Sequence, residues 1–191
     1  MSRYEFIIAG LGGHGIIFMG RVLGYAAILA GKDAVMTTSY SPAQRGGWSK
    51  AYVVVSDEPV AYPLVSEADA LVATTLEMLK SEIRWLKKGG ILIVDSDLIR
   101  GPMVSEEEYR IYKVPARTIA KEASGNERTA NMVLLGALVG LTRIVEPVHV
   151  KESIKTSVRR MELIEPNIRS FMTGYNTVKA VSYTHLTLPT N

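Results

Sequence analysis

The sequence predicts an α/β fold in which helices cover both faces of a mostly parallel sheet, giving three layers. Short β-branched apolar runs alternate along the chain with segments whose apolar residues recur at helical spacing. A turn with four glycines in six positions, residues 10–15, separates the first apolar run from the first helical segment. Such alternation is typical of strands that pair in parallel and are connected by helices.

Each predicted strand is a short apolar run, and the runs occupy residues 4–9, 34–38, 51–55, 70–73, 91–94 and 110–114. Predicted helices occupy residues 16–30, 76–86, 118–123, 130–141 and 150–161. Gly31 follows the first helix in the place of a C-terminal cap. The opening strand, helix and strand form a βαβ unit, which predicts that strands 4–9 and 34–38 are a parallel pair joined by a right-handed crossover.

The composition fits one domain that folds without covalent or metal staples. The chain has 191 residues, a length at which folding buries roughly 70% of the surface that the unfolded chain exposes. It has no cysteine, which excludes disulfides, thiolate-bound iron–sulfur clusters and cysteine zinc sites in this sequence. If the protein takes part in redox chemistry, the electrons must pass through a partner.

Charge and hydropathy predict no nucleic-acid binding and no membrane insertion. Lys and Arg total 22 against 19 Asp and Glu, and the net charge of +3 is spread along the chain. The longest uncharged apolar stretch, residues 129–142, has 14 residues, whereas a membrane-spanning helix needs about 20. The N-terminus leads directly into a strand without a signal-peptide cleavage site, which favours a cytoplasmic location.

A single domain is predicted over residues 1–178. Residues 182–191, SYTHLTLPTN, contain no Lys, Arg, Asp or Glu and show no periodicity. They resemble a translated cloning-vector tail, so the predicted fold ends before them. His185 is therefore not a candidate site residue.

The glycine turn is the strongest binding motif. Gly10, Gly12 and Gly15 match G-x-G-x-x-G between a predicted strand and a predicted helix, as in Rossmann-like domains. Glycines let the backbone approach a ligand closely, and the free N–H groups of a helix N-terminus favour a phosphate. The alternative is that the glycines serve only the tight turn and the packing of helix on strand.

A dinucleotide such as NAD or FAD fits this motif poorly. Dinucleotide sites place an acidic residue at the C-terminal end of the second strand, where it binds the ribose. Asp33 instead precedes the predicted second strand. The pattern therefore favours one of two interpretations. Either the loop binds a phosphate-bearing ligand whose ribose is held by other residues, or it binds no free dinucleotide at all.

Two polar side chains near the loops are further candidates. His14 could move a proton or donate to a phosphate, or could simply bond the backbone of the turn, and the sequence offers it no partner. Arg45 precedes Gly46 and Gly47 in the loop after the second strand, and its guanidinium suits a phosphate or carboxylate unless it is only a surface arginine. Because ligands bind at the carboxyl ends of strands, we expect these two loops to be neighbours.

Motifs of complete catalysts are missing from the sequence. It has no G-x-S-x-G elbow, phosphate-binding P-loop or H-E-x-x-H metal motif. Asp95 and Asp97 follow the strand 91–94, where capping of the next turn is their favoured role. The chain therefore has the character of a binding or assembling component.

Five blocks of sequence together resemble one family. They are GLGGHGIIFMGRVLGYAA (10–27), SYSPAQRGGWSKAYVVVSD (39–57), AYPLVSEADALVA (61–73), ANMVLLGAL (130–138) and EPNIRSFMTGY (165–175). They resemble the gamma subunit, or gamma domain, of the 2-oxoacid:ferredoxin oxidoreductases, and the resemblance covers residues 4–178. The block 39–63 is most similar to the 2-oxoglutarate type.

The resemblance implies a non-autonomous enzyme subunit. Enzymes of this family decarboxylate a 2-oxoacid oxidatively, transfer the acyl group to coenzyme A and reduce ferredoxin. The implied partners are alpha and beta subunits and, where present, a delta subunit. Thiamine diphosphate and the iron–sulfur clusters would lie on those partners, which agrees with the absence of cysteine here.

The resemblance also implies that the glycine loop helps to bind coenzyme A, with no catalytic or metal-binding residue in this chain. The implied cofactor-binding residues are Gly10, Gly12, Gly13, His14, Gly15, Arg45, Arg128 and Asn131. The family commonly has Gln at the position of His14. Two alternatives stay open beside this reading: an independent oxidoreductase using NAD(P) or FAD, and a structural assembly subunit whose glycine loop binds nothing.

Overall fold

A six-stranded sheet forms the centre of the molecule. The computed structural model describes residues 2–41, 46–101, 104–105 and 107–186. The strands are β1 (Arg3–Leu11), β2 (Asp33–Tyr40), β3 (Trp48–Ser56), β4 (Ala68–Ala73), β5 (Leu86–Asp95) and β6 (Arg110–Val114), in the sheet order β2-β3-β1-β4-β5-β6. All six predicted strands are present; β6 matches its predicted span, and the other five extend beyond theirs, β5 by five residues at its start.

Helices lie on both faces of the sheet. They are α1 (Ile16–Leu29), α2 (Leu76–Glu82), α3 (Ala116–Ser124), α4 (Ala130–Thr142), α5 (Pro147–Ser157) and α6 (Ile164–Leu186). The helix predicted at 76–86 is α2 followed by a 3-10 turn, Ile83–Trp85, and α5 begins at Pro147 and ends earlier than predicted. None of the helices in the described ranges has the length and apolarity needed to cross a membrane.

The pairing of the first two strands was predicted wrongly. β1 pairs in parallel with β4, β4 with β5 and β5 with β6, so the sheet is mostly parallel as expected. However, β3 is inserted between β1 and β2 and runs antiparallel to both. The connection from β2 to β3 is short enough for the chain to turn back as a hairpin, whereas a parallel neighbour would need a long crossover.

The alternating side chains of β1 divide the core into two halves. Phe6 and Ile8 pack with α1 and α4 on one face, and Ile7 and Ala9 pack with α2 on the other. Residues 5–10 of β1 are all buried, as expected for a strand covered on both faces. The burial of β1 on both faces thus agrees with the predicted three layers, with helices on each side of the sheet.

The long helix α6 was not predicted. It crosses α4 so closely that a Cβ on Gly136 would lie 2.1 Å from the Phe171 carbonyl oxygen, and one on Gly174 would lie 2.1 Å from the Val133 carbonyl oxygen. Pro166 lies in the first turn of α6, where proline is tolerated, although in a sequence it suggests a break. Since α6 covers α4, it fixes the start of α4 near the glycine loop.

The backbone of α6 continues through residues 182–186, the first half of the segment expected to be a vector tail. Residues 187–191 lie outside the described part of the chain. The origin of this segment, and the domain boundary at residue 178, stay predictions.

Candidate functional site

A pocket of about 290 Å³ lies at the edge of the sheet where β1, β4 and β5 end. Parallel strands in open α/β sheets bind ligands at this edge. The glycine loop follows β1, Thr74 follows β4, and Asp95 closes β5. The residues that line this central pocket are Gly13, His14, Thr74, Asp95, Arg117, Glu127, Arg128, Ala130, Asn131 and Leu134.

His14 is held between two side chains that the sequence did not reveal as partners. Its Nδ1 lies 2.8 Å from Thr74 Oγ1, and its Nε2 lies 3.3 Å from Arg117 Nη2. These partners are 60 and 103 residues away in the chain, so only the fold brings them together. Arginine has donors only, so Nε2 accepts the Arg117 hydrogen bond and Nδ1–H donates to Thr74.

The imidazole of His14 is therefore neutral at pH 7. Burial, and then the neighbouring positive charge of Arg117, lower the pKa of His14 below its ordinary 6.5. A neutral His14 leaves the Arg117 guanidinium as the positive charge beside it. The fixed tautomer orients that guanidinium in the pocket.

The glycines of the loop have different roles. Gly13 faces open space, because a side chain there would meet no atom within 4 Å, and its φ of +89° favours glycine. A Cβ on Gly10 would lie 2.1 Å from Thr74 Oγ1, and one on Gly15 would lie 2.3 Å from Asn131 Nδ2. Gly10 and Gly15 thus permit close packing, and Gly13 permits close approach of a ligand.

The two loops predicted to be neighbours do touch. The Gly12 N–H donates to the Gly47 carbonyl oxygen at 2.7 Å. β1 and β2 run in the same direction because both are antiparallel to β3, so their carboxyl ends lie at the same edge. Arg45 lies outside the described residues.

Asn131 connects α4 to the glycine loop. It is buried, its Nδ2 donates to the Gly15 carbonyl oxygen at 3.3 Å, and its Oδ1 accepts from the Met132 N–H at 3.0 Å. Arg128 precedes α4, is exposed, and lines the same pocket. The structure therefore brings Gly13, His14, Arg128 and Asn131 together in one pocket, and their role in binding coenzyme A stays a prediction.

Arg117 is the main site residue that the sequence did not single out. Its Nε is buried without a hydrogen-bond partner in the described part of the chain and lies 4.0 Å from Asp95 Oδ2. An orphaned donor beside a pocket suits an oxygen atom of a ligand. No sequence signal marked it, because an arginine at a helix start is ordinary.

Asp95 has the capping role that was favoured for it. Its Oδ1 accepts from the backbone N–H groups of Asp97 at 3.1 Å and Ala116 at 3.3 Å. Burial raises the pKa of Asp95 above its usual range, in spite of these bonds. Its carboxylate and that of Glu127 balance Arg117 and Arg128, so the central pocket has little net charge.

Asp33 lies at the opposite end of the sheet from this pocket. It starts β2 and is exposed, and its carboxylate accepts from the backbone N–H groups of Ala34 at 3.0 Å and Val60 at 2.7 Å. It therefore cannot bind the ribose of a dinucleotide at the glycine loop. This position counts against the independent dinucleotide-dependent oxidoreductase.

The fold and the pocket define a Rossmann-like α/β domain with a pocket at the carboxyl edge of its sheet, and comparison with known proteins specifies the family. The family described as pyruvate ferredoxin/flavodoxin oxidoreductase matches residues 5–177. The 2-oxoglutarate synthase subunit KorC of Methanocaldococcus jannaschii is 40% identical over 178 residues, which cover 93% of this chain and 95% of KorC. The chain belongs to this family.

Solved structures identify the type of subunit. The gamma subunit of a keto/oxoacid ferredoxin oxidoreductase from Geobacter sulfurreducens superposes with a TM-score of 0.82 at 37% identity, covering 95% of this chain and 98% of that one. The chain is thus a gamma-type subunit, and the predicted resemblance is confirmed.

A larger relative contains the same domain. The 2-oxoglutarate:ferredoxin oxidoreductase from Magnetococcus marinus was solved with 2-oxoglutarate, coenzyme A and succinyl-CoA bound. It superposes with a TM-score of 0.82 at 26% identity, over 94% of this chain and 32% of that chain. The match is therefore to about a third of that polypeptide.

Proposed function

We propose that this chain is the gamma subunit of an oxidoreductase that converts a 2-oxoacid, best assigned as 2-oxoglutarate, to its acyl-CoA with reduction of ferredoxin. The observation that carries this proposal is the near full-length match to gamma-type and KorC subunits. Its contribution is assembly of the complex and part of the coenzyme A site.

The central pocket is the proposed contact with coenzyme A. Gly13 leaves room for the ligand, and the buried Nε of Arg117 has no hydrogen-bond partner in the described part of the chain, so it is free to donate to a ligand oxygen. Arg128 adds a second guanidinium, and Asn131 holds the loop in place. These features fit a large oxygen-rich ligand, and the Magnetococcus marinus relative has coenzyme A bound.

The remaining chemistry is proposed to lie on partner subunits. Alpha and beta subunits, with a delta subunit where present, would hold thiamine diphosphate and the iron–sulfur clusters and would reduce ferredoxin. Cluster ligation by thiolates requires cysteines, and this sequence contains none. We place the complex in the cytoplasm.

Reconstitution tests the proposal. The chain is co-expressed with candidate alpha, beta and delta subunits, and the purified complex is assayed for 2-oxoacid-dependent and coenzyme A-dependent ferredoxin reduction. Arg117→Ala should raise the KM for coenzyme A, whereas Arg169→Ala, which removes an exposed arginine paired with Glu165 on α6, should not. A chain that forms no complex, or that reduces NAD alone with a substrate, would contradict the proposed function.

A purely structural role is the second candidate, and one observation favours it. Gly10 and Gly15 are explained by packing against Thr74 and Asn131, without a ligand. If Arg117→Ala and Arg128→Ala complexes assemble and keep the wild-type KM for coenzyme A, the structural role replaces the binding role.

A further inference from the structure

A second pocket, of about 460 Å³, adjoins the central pocket and is here called the arginine cleft. Its walls include Arg128, Arg159 and Arg160, and they also include Gly15 and Asn131. Arg128 and Asn131 line both pockets, so the two are neighbours on either side of these side chains. No Asp or Glu lies among the described residues of its wall.

The three arginines of the cleft are unpaired within the described residues, and of the three Arg128 also borders the central pocket with its carboxylates. Within the described residues, the side chains of Arg128, Arg159 and Arg160 form no ion pair and no hydrogen bond. Like charges that share one cleft repel each other, although solvent screens part of the repulsion. An anion bound between them would remove that cost and would accept their fork-shaped donors.

Helix starts surround the same cleft. Gly15 is the N-cap of α1, Thr129 is the N-cap of α4, and Leu163 directly precedes α6. The Thr129 hydroxyl makes no cap hydrogen bond to α4, and Gly15 has no side chain that could cap α1. The N-terminus of a helix carries a partial positive charge that favours anions, so this effect adds to that of the three arginines.

The two pockets differ in charge in the way that the two ends of coenzyme A differ. In the central pocket, two arginines face two carboxylates, whereas the cleft has three arginines and no carboxylate. Coenzyme A has a phosphorylated nucleotide at one end and an uncharged pantetheine arm at the other. We propose that the phosphates of the nucleotide end bind in the arginine cleft, and that the pantetheine arm passes Arg128 and Asn131 into the central pocket. This inference rests on the proposed function.

Arg159 and Arg160 are the residues specific to this inference. Both are exposed, so replacing them should leave the fold intact, and unchanged thermal melting of the variant complex verifies that. Each should contribute about tenfold to phosphate affinity, the effect of one charge-assisted hydrogen bond that is partly screened by solvent.

The experiment is equilibrium calorimetry on the assembled complex with four probes: coenzyme A, dephospho-coenzyme A, adenosine 3′,5′-bisphosphate and pantetheine. In the Arg159→Ala/Arg160→Ala double variant, coenzyme A and the bisphosphate should bind about 100-fold more weakly and pantetheine should bind as before. Arg117→Ala should weaken pantetheine and spare the bisphosphate. Arg169→Ala is the matched control and should change none of the four.

Added salt gives an independent readout. Salt should weaken the binding of the bisphosphate to the wild-type complex and should have a smaller effect on the double variant, because fewer charges remain to be screened. Wild-type affinity of the double variant for coenzyme A would overturn the inference and leave the proposed function standing. A wild-type complex that reduces ferredoxin but binds none of the probes on this subunit would overturn both.

Discussion

His14 should determine how Arg117 is presented to the ligand, and exchanging His14 for Gln and for Ala tests this. In the wild type, Nε2 accepts from Arg117 and Nδ1–H donates to Thr74. Glutamine can do both with its amide group, whereas alanine can do neither. His14→Gln should therefore retain coenzyme A affinity at neutral pH, and His14→Ala should lose part of it.

The size of the loss follows from the Arg117 contact. The bond is long, at 3.3 Å, and the Arg117 side chain is 37% exposed. A hydrogen bond to a charged group contributes about 1.5–3 kcal/mol, and this geometry points to the lower end. His14→Ala should thus weaken coenzyme A binding by roughly tenfold.

Lowering the pH should weaken coenzyme A binding by the wild type, as His14→Ala does. The lowered pKa of His14 keeps the ring neutral at pH 7. As pH falls through that pKa, Nε2 gains a proton, cannot accept from Arg117 and repels it. Coenzyme A affinity of the wild type should then fall, whereas the His14→Gln complex should change less, because glutamine does not titrate.

Stability is linked to the same group. The unfolded chain has the higher pKa, near 6.5, so it takes up the proton first and folding stability decreases as pH drops below that value. Calorimetric titration with coenzyme A across this range measures the affinity, and denaturant unfolding measures the stability. Identical pH profiles for wild type and His14→Gln would refute the assigned tautomer and the role of His14.

Three further predictions concern the packing and charges that support the site. Gly174→Ala should lower the free energy of unfolding by about 1–3 kcal/mol, because the new Cβ would lie 2.1 Å from the Val133 carbonyl oxygen. Gly24→Ala inside α1 should raise it by about 1 kcal/mol, because its Cβ would meet no atom within 4 Å. Thermal melting compares the two variants, and equal shifts would contradict the close contact between α4 and α6. Lys50→Met should destabilise the fold by about 3–5 kcal/mol, because it leaves the buried Glu82 carboxylate, 2.6 Å from Lys50 Nζ, without its cation. Adding Glu82→Leu to this variant should recover stability in urea unfolding, and no recovery would contradict the pairing. Burial opposes ionisation of Glu82, but its hydrogen bonds to Lys50 and Ser81 outweigh burial and hold its pKa below 4.5. Its contribution to folding stability should therefore be lost as pH falls below that value. An acid-unfolding midpoint that does not move in Glu82→Gln would contradict this.

The sequence predicted the elements of this fold better than their arrangement. Short apolar runs located all six strands and helical spacing located five of the six helices, because buried strands and helices leave such patterns. The insertion of β3 between β1 and β2 was missed, since a local pattern does not specify a strand's neighbours. Helix α6 was missed because Pro166 and Gly174 interrupt its pattern, although both suit its first turn and its crossing with α4.

The site was predictable where a motif marks it. The glycine loop and its position at the sheet edge followed from G-x-G-x-x-G, and the resemblance added Arg128 and Asn131, which do line the central pocket. The partners of His14 could not be found from the sequence, because Thr74 and Arg117 come from other strand ends. Arg159 and Arg160 could not be singled out from the sequence, because only the fold places them in the same cleft as Gly15.

The most direct test of the central claim is a structure of the reconstituted complex with coenzyme A bound. We predict that coenzyme A contacts this chain at the carboxyl edge of its sheet, passes Gly13 and has atoms within hydrogen-bonding distance of Arg117 or Arg128. Coenzyme A bound entirely on other subunits, with the central pocket filled only by water, would contradict it.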